Sequence, residues 1–324
     1  MGFIQFQHDE GYRKEWWLLD EDQQTYWLSQ EDEDLFLVKP SSSQSIDLPA
    51  WALLQPNTQI DFGGNNWQVT EKRILDFYGY NGSLPIEPSE KTQLKYSYLT
   101  NSEAESLILI YSGTEIVARQ GWWLDPLEVL ASQQSSLRGN VYRSKTLVCN
   151  YCGTAMDVKD EFRALYTFGN VEKPSSNLRI GMQGEIQGGN FTITGYIAYE
   201  TTSGEWLEYQ LYSPTYGYAL IVIKDGEYFF LRKTFYLPTP NLWLLKTGDS
   251  FFAEEKKYQI EQFYQTSILY AAGDLPVVVH KNKRGKQCFA QAGDLCYHSK
   301  HSLKRVSYFR GYSMNKDELE SGFR

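Results

Sequence analysis

The chain contains an internal repeat, and this feature limits its architecture more than any other. Residues 53–85 align with residues 244–276 without a gap, at an offset of 191, so that Trp67 falls on Tyr258. Self-similarity over such a length indicates two units that share one arrangement of secondary structure. The repeat therefore predicts an architecture of two related domains, and it predicts no particular activity.

The similarity extends beyond this segment on both sides. Glu15 falls on Glu208 at an offset of 193, and Gly121 falls on Gly311 at an offset of 190. Small changes of offset are what insertions in surface loops produce. The predicted organisation has three parts: a diverged and N-terminally truncated first copy at 1–134, a connector at 135–178 and a second copy at 179–324.

Local patterns are almost all typical of strands. Apolar and polar residues alternate over 191–199 and 206–212, and an Asp-Gly pair at 225–226 predicts a hairpin turn. Aromatic residues make up 15% of the chain, and they favour sheet. The predicted fold class is all-β, mainly antiparallel, with two related small sandwich or open-barrel domains. The best helix candidates are short, at 124–133 and 316–321.

The two copies differ at their starts. Copy 2 opens with residues 180–186 ahead of its strand at 191–199, and copy 1 has no equivalent segment. We therefore expect copy 1 to lack one or two strands and to have an open sheet edge. Such an edge pairs readily with another chain. The alternative is an edge that is only short and charged.

Charge is distributed unevenly along the chain. Residues 1–40 contain ten acidic and three basic residues, whereas residues 280–324 contain ten basic ones. Both segments can be solvated faces that keep the protein in solution. Alternatively they attract each other, within one chain or between chains. The net charge of −9 argues against nucleic acid as a partner.

Targeting signals are not evident in the sequence. No run of 18 apolar residues is present, so no transmembrane helix is expected, and the first residues do not resemble a secretory signal. The expected location is the cytoplasm, where the four cysteines would remain thiols or bind metal.

The second copy combines a glycine-flanked opening strand, a W-x-E-Y stretch and a hairpin that turns through glycine. The residues are Gly184, Gly189, Phe191, Gly195, Trp206, Glu208, Tyr209 and Gly226, followed later by Gly273-Asp274-Leu275-Pro276. This pattern resembles the bacterial domain family of unknown function numbered 4178. The resemblance implies a bacterial protein whose relatives are often encoded beside membrane-stress and polyamine-related genes.

A C-x-x-C-G motif, with Cys149 and Cys152, lies where the resemblance implies a zinc-ribbon-like element. A closed structural zinc site needs four ligands, and no second C-x-x-C precedes this one. The alternatives are a zinc site completed by distant residues and a relic half-site with reduced thiols. The distant candidate ligands are Cys288, Cys296, His298 and His301.

Motifs that carry catalysis are missing from the sequence. It has no nucleophile elbow, P-loop, dinucleotide-binding fingerprint or H-E-x-x-H. We therefore expect a non-enzymatic binding or scaffold protein with a protein partner. Its predicted binding surface comprises Trp17, Trp206, Glu208 and Tyr209.

A second class of function is kept beside the first. It is a binder of a small cationic ligand such as a polyamine, or an enzyme, with an aromatic and acidic pocket between the repeats. Self-association and peripheral attachment to a membrane stay open.

Overall fold

The computed structural model describes most of the chain in two compact units. The first unit contains residues 1–133, 235–243 and 301–307, and the second contains 134–234, 244–300 and 308–324. The described residues are 2–31, 34–40, 48–85, 93–113, 115–124, 144–158, 162–169, 176–201, 203–280 and 284–324.

The first unit is a closed, antiparallel, barrel-like sheet of eight strands with a ninth strand added. Its hydrogen-bonded order is β1-β2-β3-β4-β9-β8-β7-β6, and β6 pairs again with β1, while β5 extends from β6. The strands are β1 (Gly2–His8), β2 (Gly11–Leu19), β3 (Thr25–Glu31), β4 (Asp34–Pro40), β5 (Gln59–Phe62), β6 (Asn65–Gly82), β7 (Gln93–Thr100), β8 (Glu105–Ser112) and β9 (Glu115–Leu124).

The second unit closes a sheet in the same way and carries additional strands. The order is β14-β15-β16-β17-β22-β21-β20-β19, closed by a β19–β14 pairing, with β13 on β14, β18 on β19 and the β10–β12 meander on β19. The elements are β10 (Thr146–Val148), β11 (Thr154–Asp157), β12 (Arg163–Thr167), β13 (Gln183–Ile186), β14 (Gly189–Thr201), β15 (Gly204–Ser213), β16 (Gly217–Lys224), β17 (Glu227–Thr234), β18 (Ser250–Ala253), β19 (Lys256–Leu275), β20 (Arg284–Ala292), β21 (Leu295–His301), β22 (Val306–Met314) and α1 (Lys316–Gly322).

The two closed sheets have one topology. Each of β1–β9 occupies the position in its sheet that the corresponding strand of β14–β22 occupies in the other. The prediction of an all-β protein with two related domains is confirmed. Both sheets are closed rather than open, because β1 is hydrogen-bonded to β6 and β14 is hydrogen-bonded to β19.

The prediction of an open edge in copy 1 is wrong. Among the described residues the first unit has no strand that corresponds to β13, yet β1 is hydrogen-bonded on both sides. Closure of the ring removes the edge that the missing strand was expected to expose.

A glycine at the same place in both sheets supports the correspondence. A Cβ on Gly121 would lie 2.7 Å from the Val38 Cα, and one on Gly311 would lie 3.0 Å from the Leu231 Cα. Each glycine also faces a strand carbonyl at a distance that excludes any side chain. Both glycines therefore permit close packing of neighbouring strands. Descent of the two copies from one ancestor stays a prediction.

Apolar side chains pack on both faces of the first sheet. The interior cluster includes Phe6, Trp27 and Phe36, and a second cluster on the outside includes Trp67 and Leu107. Described residues of the second unit likewise form apolar clusters on both faces of its sheet. Burial on both faces explains why several strands read as continuous apolar runs.

One predicted helix is present and the other cannot be compared. The α1 helix begins after Asn315, whose side chain accepts hydrogen bonds from the backbone N–H groups of Asp317 and Glu318. Apart from Leu124, which ends β9, the predicted helix at 124–133 lies outside the described residues.

Within the part of the chain that the structure describes, no helix is long and apolar enough to cross a membrane.

Candidate functional site

The first closed sheet contains a network of buried charged side chains. Alternation along β2 places Arg13 and Glu15 on the buried face, and they are 0% and 2% exposed. Glu31 on β3 and Glu71 and Arg73 on β6 are buried as well. Sequence analysis missed this network. The sequence does contain a sign of the network: oppositely charged residues stand two positions apart in a strand, and residues at that spacing lie on the same face.

Glu15 is fully enclosed by donors. Its Oε1 accepts from the Arg13 Nε at 2.8 Å and from the Tyr96 hydroxyl at 3.3 Å, and its Oε2 accepts from the Arg119 Nη1 at 3.0 Å. Burial opposes ionisation of Glu15, but Arg13 and Arg119 outweigh it and lower its pKa. The Arg13 guanidinium also lies 4.6 Å from the centroid of the Tyr98 ring. Glu15 is therefore held as a carboxylate.

Glu71 and Glu31 share two further arginines. The Glu71 Oε2 accepts from the Arg305 Nε at 2.7 Å, and its Oε1 contacts the Arg73 Nε. Burial opposes ionisation of Glu71, yet Arg305 and Arg73 lower its pKa. The Glu31 Oε1 lies 3.5 Å from the Arg73 Nη2 and 3.6 Å from the Arg305 Nη2. Burial and the charge of Glu71 raise the pKa of Glu31.

His8 lies beside Glu31 at one end of the charged network. Its Nδ1 accepts from the backbone N–H of Glu10 at 3.2 Å, so the neutral ring carries its proton on Nε2. That nitrogen lies 3.5 Å from the Glu31 Oε1. Glu31 therefore differs from Glu15 and Glu71: its pKa is raised, whereas arginines lower the pKa of the other two carboxyls.

The acidic N-terminal and basic C-terminal segments meet in the first unit. Lys304 forms an ion pair with Asp9, and the Lys304 carbonyl accepts from the backbone N–H of Lys72 at 3.0 Å. Arg305 forms a bridge with Glu71 through the backbone as well as the side chain. The unequal distribution of charge along the chain therefore holds residues 301–307 on this unit.

The predicted zinc ligands are not brought together. Cys288 on β20 and Cys296 on β21 are buried in the second unit, where burial raises the pKa of Cys288 to about 12. His298 is also fully buried, and its Nε2 lies 2.8 Å from the Gln287 Oε1. Burial lowers the pKa of His298 well below its usual value. These side chains belong to the core because β20 and β21 are covered by apolar residues.

The remaining predicted ligands lie elsewhere. His301 packs with its ring centroid 5.1 Å from that of Trp243, within the first unit. Cys149 and Cys152 lie on the turn between β10 and β11 of the second unit. Over the described ranges, no group of three or more metal-ligating side chains is assembled. As far as the chain is described, the cysteine pair offers half of a tetrahedral zinc site and no further ligand joins it.

The predicted binding surface is wrong for three of its four residues. Trp206, Glu208 and Tyr209 are 3%, 1% and 0% exposed, because β15 is covered on both faces. Glu208 binds the Lys300 Nζ at 2.6 and 2.5 Å, which satisfies its buried charge. Trp17 is half-buried, with its ring centroid 5.1 Å from that of another tryptophan in the first unit.

An aromatic surface does exist on the outside of β1, β2 and β6. We call it the outer aromatic face. Register and alternation place Phe3 opposite Trp16, and the rings of Tyr12 and Tyr78 meet edge to face at 5.0 Å. Tyr78 is 58% exposed. The outer aromatic face comprises Phe3, Tyr12, Lys14, Trp16, Ile74 and Tyr78, and the polar residues Gln5, Gln7 and Asp76 lie on the same side of these strands.

The second unit has an acidic depression of 390 Å³ at its surface. Glu227, Tyr228, Asp294 and Lys316 are among the residues that line it. No ion pair to Glu227 or Asp294 occurs among the described residues. We call it the acidic depression.

Comparison with known proteins found no relative of this chain. A scan of protein-family models, a search of curated proteins and a search of solved structures each returned no match to this chain. The resemblance to family 4178 therefore stays a prediction.

Proposed function

We propose that this protein is a non-enzymatic binding or scaffold module of a bacterial cytoplasmic assembly, and that it binds a protein partner through the outer aromatic face. The observation that carries the proposal is the exposure of Tyr78 and Ile74 beside three further aromatic side chains on one sheet surface. Tyrosine and tryptophan are enriched where proteins bind one another, since each joins a large apolar area to a polar tip.

The architecture beneath this face supports a binding role. The inward side chains of the same strands, Arg13, Glu15 and Arg73, are tied into the charged network. A strand whose inner face is fixed in this way presents its outer side chains with little freedom. Preorganisation of that kind lowers the entropy lost on binding.

The proposal is tested by capture from a native bacterial lysate with tagged variants. We expect the wild type to retain one stoichiometric partner and Tyr78→Asp to lose it, because a charge would be placed in the interface centre. Phe252→Asp is the matched control, since Phe252 is 53% exposed on β18 of the second unit. Equal retention by wild type and both variants would contradict the proposal, as would the absence of any stoichiometric partner.

The acidic depression favours a second candidate, a binder of a small cationic ligand such as a polyamine. Glu227 and Asp294 supply carboxylates there, although Lys316 opposes a cation. Calorimetric titration with spermidine tests this function. Binding that is lost in Asp294→Asn and kept in Tyr78→Asp would favour it over the first proposal, and an absence of heat at millimolar spermidine would refute it.

A further inference from the structure

The turn between β10 and β11 presents two thiols on a rigid support. The Cys149 backbone N–H donates to the Thr154 carbonyl at 3.0 Å, and the Gly153 N–H donates to the Cys149 carbonyl at 2.9 Å. Gly153 takes a φ of 66°, which the tight turn requires. The backbone of the turn is therefore fixed by its own hydrogen bonds.

The strands behind the turn are anchored in the core of the second unit. Val148 and Ala155 pair across the hairpin and are 1% and 0% exposed. Val148 also pairs with Gly273 on β19, and the Gly153 carbonyl accepts from the Phe168 N–H at 2.9 Å. The thiols are thus held at the end of a packed hairpin.

The thiols themselves are accessible and adjacent. The Cys152 thiol is exposed and donates to the Thr154 Oγ1 at 3.1 Å. Cys149 lies three residues earlier in the same turn and is half-buried. Between them, Tyr151 is 99% exposed. Two neighbouring thiols in one turn, one exposed and one half-buried, are ligands of the kind that a soft or borderline metal ion binds.

We propose that Cys149 and Cys152 form half of a zinc site that is completed by the same two residues of a second copy of this chain. Zinc in structural sites takes four ligands in a tetrahedron, and four thiolates are a common set. The described part of one chain brings no third ligand to this pair. A second copy supplies two identical thiols through a two-fold axis, which is the commonest symmetry of protein dimers.

The exposed ring of Tyr151 suits this occupant. A lone large aromatic side chain at the tip of a packed hairpin adds apolar contact area where the two turns would meet. The proposed zinc-linked dimer does not use the outer aromatic face. An experiment that refutes the dimer therefore leaves the proposed function untouched, and the reverse also holds. Each zinc bound would release about four protons, because thiols bind zinc as thiolates.

The test is native mass spectrometry of the full chain with zinc, under a reducing agent. We expect a species of twice the 37.5 kDa chain mass that contains one zinc ion, and its reversal by a chelator. Cys152→Ser and Cys149→Ser should each leave a monomer without zinc. Asn150→Ala, in the same turn and with no ligand atom removed, should dimerise like the wild type. Circular dichroism checks that every variant is folded.

Cobalt substitution reads out the ligand set directly. Intense d–d absorption with a thiolate charge-transfer band, in proportion to one cobalt per two chains, is the expected result. A monomer that binds one zinc per chain would overturn the proposal, and so would a zinc-independent dimer. A wild-type chain that stays metal-free at micromolar zinc would also overturn it, since the second copy would then not complete the site.

Discussion

Replacement of two buried glutamates in the first unit tests the charged network most sharply. Glu15→Gln and Glu31→Gln make the same chemical change on neighbouring strands, at side chains that are both at least 95% buried. We expect Glu15→Gln to lower the free energy of unfolding strongly and Glu31→Gln to change it little. The difference arises because arginines hold Glu15 ionised, whereas burial and Glu71 disfavour the ionised form of Glu31.

The magnitude follows from the contacts of Glu15. It accepts hydrogen bonds at 2.8, 3.0 and 3.3 Å, two of them from guanidinium groups. Glutamine keeps one acceptor oxygen, but it presents an amide to an arginine and removes the nearer of the two carboxylates beside Arg13, which is 0% exposed; the other, Glu31, lies 3.5 Å away. Breaking a buried ion pair costs roughly 3–5 kcal/mol. For Glu31→Gln we expect a change within about 1 kcal/mol, because the Glu31 carboxyl lies at longer distances of 3.5–3.6 Å from Arg13, Arg73 and Arg305, and burial disfavours its ionised form.

The two variants should also differ in their dependence on pH. The pKa of Glu15 is lower in the folded than in the unfolded state, so its stabilisation is present above the ordinary carboxyl pKa and is lost as pH falls. The pKa of Glu31 is raised, so the wild type loses stability as pH rises through the folded pKa. Glu31→Gln removes that loss and should equal or exceed the wild type in stability at pH 7.

Urea unfolding measures these differences, and hydrogen exchange of peptides from β2 assigns them to the first unit. A Glu31→Gln variant as unstable as Glu15→Gln would refute the assignment of protonation states. A Glu15→Gln variant within about 0.5 kcal/mol of the wild type, the range of an ordinary surface change, would refute the network as a stabilising element.

Three further outcomes are expected. Gly121→Ala should lower the melting temperature by several degrees, because its Cβ would meet the neighbouring strand, whereas Gly79→Ala has open space and should be close to neutral in a thermal scan. Alkylation followed by mass spectrometry should label Cys152 rapidly and Cys288 only on unfolding, since one thiol is exposed and the pKa of the other is raised to about 12. Asn315→Ala removes the cap of α1 and should cost about 1 kcal/mol in chemical denaturation.

Repetition and strand periodicity were sufficient to predict the fold class. The offset of 191 places Trp67 on Tyr258, and these residues pair with Ile60 and Phe251 in equivalent hairpins. Closure of the sheets could not be predicted in the same way. It depends on pairing between β1 and the far half of β6, which are separated by more than sixty residues and leave no local pattern.

The sites were harder to predict because a short sequence motif does not show whether its side chains are buried in the folded protein. The alternation over residues 206–212 is typical of a strand with one exposed face. In the structure apolar clusters cover both faces of β15, so that Trp206 and Tyr209 are both buried. Tyr12 and Tyr78, in contrast, are far apart in sequence and come together only through the β1–β2 and β1–β6 registers. The cysteine pair was visible as a motif, and the structure was needed to show that three of its four distant candidate ligands, Cys288, Cys296 and His298, are core residues.

The central claim is that the outer aromatic face contacts a protein partner. Photocrosslinking in bacterial cells tests it directly, with a benzoylphenylalanine side chain in place of Tyr78 and, as the control, in place of Phe252. We predict one discrete crosslinked adduct from position 78 and none of comparable yield from position 252. Equal or diffuse crosslinking from both positions would contradict the claim.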